Sequence, residues 1–355
     1  MDTLLEPLSR WKPFHALVVG DFMLDQLVYG DAERLSADAP VPILHVRRTE
    51  NRPGGAANVC LDLVALKGSV TAFGVVGNDA AASDLRQSLE AQGVNTAGLV
   101  TDAQRPTTLK QNLIGLAQTR HPQKMFRVDV ESRDPVPDHV SMRLFAAFEL
   151  ELARADIVCI EDYAKGVCSP SICRGVIERC RRAGKPVFVD PAKLSDYAKY
   201  HGATAITPNR TEAEFATGLP TRGEANTAHN VEVAAALQSS LDLDAAILTL
   251  DRDGALLLER GGSAQSAPTV ARQVYDVTGA GDMFLAGLAA ARANGIGWFD
   301  SVRFANAAAG LEVEVFGVEP MPFDKVHHAV MRLAMGASRS EEHRLNSSHL
   351  VISYA

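Results

Sequence analysis

Short apolar runs alternate with longer segments of helical spacing along most of the chain. Ala16–Gly20 (ALVVG), Val70–Val76 (VTAFGVV), Asp156–Ile160 (DIVCI), Pro186–Asp190 (PVFVD), Thr204–Thr207 (TAIT) and Ala245–Leu250 (AAILTL) read as buried strands. Between them lie helical patterns, including Ala80–Gln92, closed by Gly93, and Asp138–Arg154. Gly54–Leu66 takes helical spacing after a glycine pair, and Gly279–Asn294 and Ser301–Val315 read as two closing helices. This alternation predicts an α/β fold with a mostly parallel sheet between helical layers. Pro40–Val46 (PVPILHV), Thr107–Ala117 and Lys124–Val130 do not fit it. Their prolines and strict alternation suggest a small β-strand lid outside the main sheet. The periodicity fades near Gly336, so residues 1–335 are expected to form one domain, with lid strands within about 22–48 and 106–130. Residues 336–355 are expected to be a disordered or non-native tail.

Composition narrows the class. The chain has 355 residues, 46% hydrophobic and 22% charged, with a formal net charge of -8. That length and balance suit one large α/β domain, and no basic stripe marks a nucleic-acid footprint. The five cysteines are odd in number and lack C-x-x-C spacing, which favours reduced thiols over a disulfide framework or zinc site. No apolar run nears the ~20 residues needed to cross a bilayer. The first residues lack a signal-peptide pattern, so a cytoplasmic location is expected.

The candidate chemistry starts at Asp276–Phe284 (DVTGAGDMF). Gly279, Ala280 and Gly281 can bring successive amides to an anion at a helix N-terminus. Asp282 just inside the helix suits a general base, or else a helix cap. A P-loop and a G-x-G-x-x-G fingerprint are both absent. Asp21 and Asp25 in GDFMLD sit where sugar hydroxyls collect, or are turn residues. Gly54, Gly55 and Asn58 in RPGGAAN allow close backbone approach to a polyol, or form a plain turn. Asn209 and Glu212 share a helical face and suit a hydrated Mg²⁺, or make a capping box. Arg34, Arg105, Lys110, Arg127, Lys165 and Lys193 are possible phosphate partners or solvated cations.

The order of GGAAN, N-x-x-E and D-x-T-G-A-G-D resembles the ribokinase-like carbohydrate kinases over roughly residues 14–333. The strings RLSADAPVPILHV, MFRVD, EDYAKG, TPNRTEAE and FANAAAG look like its heptose 7-phosphate kinase branch. The resemblance implies a three-layer α/β/α fold with a β-strand lid, and ATP-dependent phosphorylation of the C1 hydroxyl of a heptose 7-phosphate. It implies Asp282 as base, with Gly279, Ala280 and Gly281 as anion hole. Asp25, Gly54, Gly55 and Asn58 would hold the sugar, joined by Arg127 and Lys165 for the sugar or its distal phosphate. Asn209 and Glu212 would organise Mg-ATP, Glu212 through water, and Thr249, Asp251, Gly254 and Asn306 would lie by the nucleotide. DPAK at Asp190–Lys193 stands where related chains often have DPK, and this leaves Lys193 outside the implied site. The chain has no H-x-G-H motif, so a later adenylyltransfer would need a separate protein. Pairing through the lid strands into a homodimer is also implied. A kinase of another sugar and a non-catalytic sugar or nucleotide sensor remain as alternatives.

Overall fold

The computed structural model describes residues 3–117, 120–221, 226–269, 274–315 and 317–334. The tail expected at 336–355 lies outside the described residues. Thirteen strands form two sheets. They are β1 (Phe14–Gly20), β2 (Phe22–Leu35), β3 (Pro42–Gly55), β4 (Gly68–Val76), β5 (Asn95–Thr101), β6 (Thr108–Ala117), β7 (Arg120–Val130), β8 (Ile157–Glu161), β9 (Val187–Asp190), β10 (Ala205–Ile206), β11 (Ala245–Thr249), β12 (Ala255–Glu259) and β13 (Gln265–Ala267).

The large sheet has the order β13-β12-β11-β10-β9-β8-β1-β4-β5. From β11 to β5 every pairing is parallel, and the hairpin β12–β13 adds antiparallel at one edge. Helices cover both faces, as buried parallel strands require. Ala16 and Val18 face one core, with the helices Ala56–Ala65, Ala280–Ala293 and Trp298–Glu312. Leu17 and Val19 face the other, with Asp138–Leu152, Pro170–Ala183 and Thr227–Leu241. Alternate residues of one short run therefore anchor both helical layers. Among the described residues, no helix is long and apolar enough to cross a membrane.

The second sheet is the lid, in the order β3-β2-β6-β7. Its β2–β3 and β6–β7 pairs are antiparallel, while β2 and β6 run parallel. Two expectations change here. The stretch after Gly20 is not a turn: one residue, Asp21, separates β1 from a 14-residue lid strand. Gly54 and Gly55 stand outside the helix, because they end β3, with Gly55 as the N-cap of the helix that begins at Ala56. The lid thus grows directly from the main sheet's strand ends. Any movement of β2 or β3 is carried to Asp25 on one strand and to the helix holding Asn58 on the other.

Candidate active site

The parallel strands deliver their carboxyl ends to one side of the sheet, where ligands of open α/β folds gather. A cavity of about 440 Å³ lies there, lined by residues that include Glu161, Tyr163, Asp190, Lys193, Glu212 and Asp282. The helix Ala280–Ala293 points its N-terminus at this cavity, and Gly279 and Gly281 line it. Ala280 does not line it, and its N–H turns back to the Val277 carbonyl at 3.4 Å. Before the helix, Asp276 accepts bonds from the Thr278 amide and hydroxyl, at 3.0 and 2.7 Å, which shapes the turn.

Asp282 is the third residue of the helix and makes no cap, which removes the capping alternative. Its carboxylate accepts from Asn58 Nδ2 at 3.0 Å and from the Tyr163 hydroxyl at 2.9 Å. It is 2% exposed, and burial pushes its pKa up to about 6 against the pull of those two bonds and of Lys110. A carboxylate with that value is ionised at neutral pH yet basic enough to take a proton.

Two further carboxylates stand beside it. Glu161 ends β8, Asp190 ends β9, and their oxygens lie within 4.8 Å of one another and of Asp282. Burial and mutual repulsion raise both. Glu161 Oε2 is buried without a hydrogen-bond partner. Hard oxygen donors with an unsatisfied buried atom fit a divalent cation.

On the far wall, Asn209 and Glu212 do form the capping box of their helix. The Glu212 amide donates to Asn209 Oδ1 at 3.0 Å, and the Asn209 amide donates to Glu212 Oε2 at 2.9 Å. Both residues nevertheless line the cavity with Thr249 and Lys193, so capping fixes side chains that still face it. Lys193, set aside on the DPAK spacing, belongs to the cavity after all. Asp251 and Gly254 lie in the turn between β11 and β12, outside the cavity lining. Asn306 is also outside it, and its amide is a strut that donates to the Pro268 carbonyl at 2.6 Å.

The lid stands beyond this lining, with Asp25, Gly54, Gly55 and Arg127 outside it, as is Asn58. Asp25 on β2 pairs in register with Lys110 on β6 and Arg52 on β3. Burial raises Asp25, while Lys110, Arg127 and Lys124 oppose the rise. A side chain at Gly54 would press into the Asp25 carboxylate, and one at Gly55 would meet the Asp21 carbonyl at 2.5 Å. Asn58, two residues into the next helix turn, reaches Asp282 instead of standing apart with the glycines. Arg127 is exposed and paired with Asp129 at 2.8 Å, and Lys165 is paired with Glu131. Arg105 donates to the Ser132 and Lys165 carbonyls at 3.2 and 2.7 Å, a structural use.

Asp21 proves to be a scaffold. Its two oxygens accept the amides of Tyr163 and Lys165, both at 2.9 Å, and of Val167 at 3.1 Å. With Asp21 1% exposed, these bonds fold the 161–167 loop over the end of β1. Asp162 also lines the cavity, and its carboxylate is held by Lys199 and by the Tyr200 hydroxyl at 2.6 Å. All five cysteines are free and buried.

Tyr163, Glu161 and Asp190 escaped the sequence reading. EDYAKG and DPAK drew attention for their lysines, yet the strand-end rule applied to each carboxyl terminus would have pointed to the acids.

Comparison with known proteins agrees with this geometry. The profile described as pfkB family carbohydrate kinase matches residues 14–324. A bifunctional protein HldE from Geobacter sulfurreducens is 41% identical over 303 residues, covering 85% of this chain and 60% of the relative. The chain therefore spans about 60% of the length of that curated relative. The structure of Arabidopsis thaliana ribokinase complexed with ribose and ATP superposes with a TM-score of 0.69 at 22% identity, over 90% of this chain and 99% of that one. Phosphofructokinase-2 from Escherichia coli in complex with potassium gives a TM-score of 0.73 at 18% identity, over 90% and 99%. At such identities the two structures speak for the fold alone.

Proposed function

Since the chain belongs to the pfkB family of carbohydrate kinases, and so is a phosphotransferase acting on a sugar hydroxyl, we propose a specific acceptor. It is the C1 hydroxyl of D-glycero-β-D-manno-heptose 7-phosphate, with ATP as donor and the 1,7-bisphosphate and ADP as products. The reaction would supply a precursor of ADP-heptose for lipopolysaccharide, in a cytoplasmic setting. The HldE relatives support this reading over the matched span, as does the branch resemblance of the EDYAKG and TPNRTEAE segments.

The observation that carries the mechanism is Asp282, buried at a helix N-terminus between the lid and the three-carboxylate wall. The acceptor hydroxyl gives its proton to Asp282 while its oxygen bonds to the γ-phosphorus. The bond from that phosphorus to the β–γ bridging oxygen breaks, and ADP leaves with the electron pair. The backbone at Gly279 and Gly281, with the positive end of the helix, faces the charge spreading over the transferred group. Asp25 and Gly54 form the sugar side, with Lys110 and Arg127 on the same lid strands to meet a phosphorylated sugar. Asn209, Thr249 and Lys193 form the nucleotide side. Glu161, Asp190 and Glu212 are the residues that would hold Mg²⁺, Glu212 through water; when bound, the ion offsets phosphate charge. Closure of the lid would keep water from competing as acceptor.

A panel of sugars and sugar phosphates in an ADP-release assay tests the acceptor. The expected result is a kcat/KM for heptose 7-phosphate at least ~100-fold above that for fructose, ribose or hexose phosphates, a ratio reachable through buried polar groups left unpaired by a wrong sugar. Preference for an unphosphorylated sugar would replace this reading by that of another sugar kinase. Binding of sugar and nucleotide without turnover would favour a sensor.

A homodimer through the lid is part of the same reading. Val46 on β3 and Phe126 on β7 are 50% and 66% exposed on a sheet whose edge strands are free among the described residues. A second copy would cover both the apolar surface and the edges. Sedimentation at micromolar concentration should give twice the chain mass, and a monomer throughout would remove the dimer.

A further inference from the structure

We propose that Tyr163 is a positioning residue for phosphoryl transfer: its hydroxyl and the Asn58 amide clamp the two oxygens of Asp282, so the carboxylate meets the acceptor hydroxyl in one orientation. This rests on the reading of Asp282 as the base.

The clamp is two-sided. Tyr163 donates to Oδ1 at 2.9 Å from a loop that lines the cavity, and Asn58 donates to Oδ2 at 3.0 Å from a separate helix outside that lining. Each carboxylate oxygen keeps a lone pair beyond the one occupied, so a proton can still be accepted.

The tyrosine is itself held firmly. Its own amide is bonded to Asp21, and the next residue, Ala164, takes a left-handed φ of 54°. The Lys165 and Val167 amides close the same loop on Asp21. The Lys110 ammonium stands 5.3 Å from the ring centroid on the lid side. Tyr163 thus joins the rigid sheet end, the base and the lid. Asp21 fixes the loop, the loop fixes the phenol, and the phenol fixes Asp282.

Other charges around Asp282 would tend to spoil such an orientation. Glu161 on β8, Asp190 on β9, Asp25 on β2, and Asp62 and Glu312 on the two helices behind it are all acids. Lys110 on β6 is a cation that opposes them. Amid that crowd of acids, two fixed donors are what hold the carboxylate in place.

Tyr163→Phe removes the hydroxyl and keeps the ring. The acid limb of the kcat/KM profile should then move up by about one pH unit, the tenfold change expected for one charge-assisted hydrogen bond. At the plateau kcat should fall about tenfold while KM for ATP holds. Replacing Tyr163 with 3,5-difluorotyrosine strengthens the donor, so the limb should move down. That second variant also serves if the phenylalanine protein folds poorly. A limb that stays put in both variants overturns the clamp. Asp282→Asn run alongside separates the two ideas. If it keeps near-normal turnover, the base assignment itself fails. If it is inactive while the tyrosine variants leave the limb unmoved, only the clamp fails.

Discussion

Asp282→Asn is expected to lower kcat by about 10³-fold, within the range for loss of a positioned general base. The amide nearly matches the carboxylate in size, and Asn58 and Tyr163 remain in place, so the fold should persist. The pH behaviour sharpens the test. Wild-type kcat/KM should rise with pH until Asp282 ionises near 6 and then level. The variant's residual rate should lose that limb. Stability should move oppositely. The folded pKa of about 6 lies above the ordinary 3.8, so between those values the folded state binds more protons than the unfolded chain. Its stability therefore falls as pH rises through that window, and the cost persists above it. An asparagine carries no such charge, so the variant should melt at a higher temperature than wild type at pH 7. Circular dichroism melts at pH 4 and pH 7 check this. An active variant, or one destabilised at pH 7, would contradict the assignment.

Gly279→Ala is the second large effect. Gly279 caps the helix with φ of 91°, in the left-handed region, where an L side chain costs about 1–2 kcal/mol. An added Cβ would also stand 2.8 Å from Glu312 Oε1 and 3.1 Å from Val318 Cγ1. Glu312 is buried, and neither of its oxygens has a partner; Asp62 beside it is in the same condition. Burial and the nearby Asp282 and Asp276 push Glu312 up to about 8, so it is chiefly neutral at pH 7. That neutral acid packs tightly behind the turn. The alanine must therefore push the Glu312 carboxyl aside and strain the left-handed turn at the helix N-terminus, where the transferred phosphoryl group is read. A loss of about 10²-fold in kcat is expected, comparable to removal of one donor to a developing anion. KM for the sugar should change little, because β2 and β3 carry the sugar side. Steady-state kinetics decide, and unchanged kcat would show that the Gly279 backbone takes no part.

The apolar runs of β1, β4, β8, β9 and β11 were legible because both faces of each are buried and the pattern is unbroken. β2 was expected only as part of a lid within about 22–48 and its bounds were not legible, because its outer half turns polar on the exposed lid and its pairing slips at Gly30. β5 and β12 were missed as short runs beside glycine-rich turns. DVTGAGD declared itself through its glycines, since few other functions need that turn at a helix start. Tyr163, Glu161 and Asp190 had no spacing signature. Their chemistry exists only because two separate strand ends and one loop meet in space. For Asn306, which the resemblance places by the nucleotide, the fold shows one use, its amide donating to the Pro268 carbonyl.

The one-sided sheet also leaves a rim with nothing to protect. Gly93, Gly184 and Gly261 turn the chain at the amino ends of the strands, and a side chain at any of them would meet open space. No group used in the chemistry reaches that rim. The three glycines hold left-handed φ values of 83°, 65° and 73° and so stay glycine, but the loops around them can lengthen or accept a grafted peptide without disturbing turnover, whereas the same change at the opposite rim would fall among the acids.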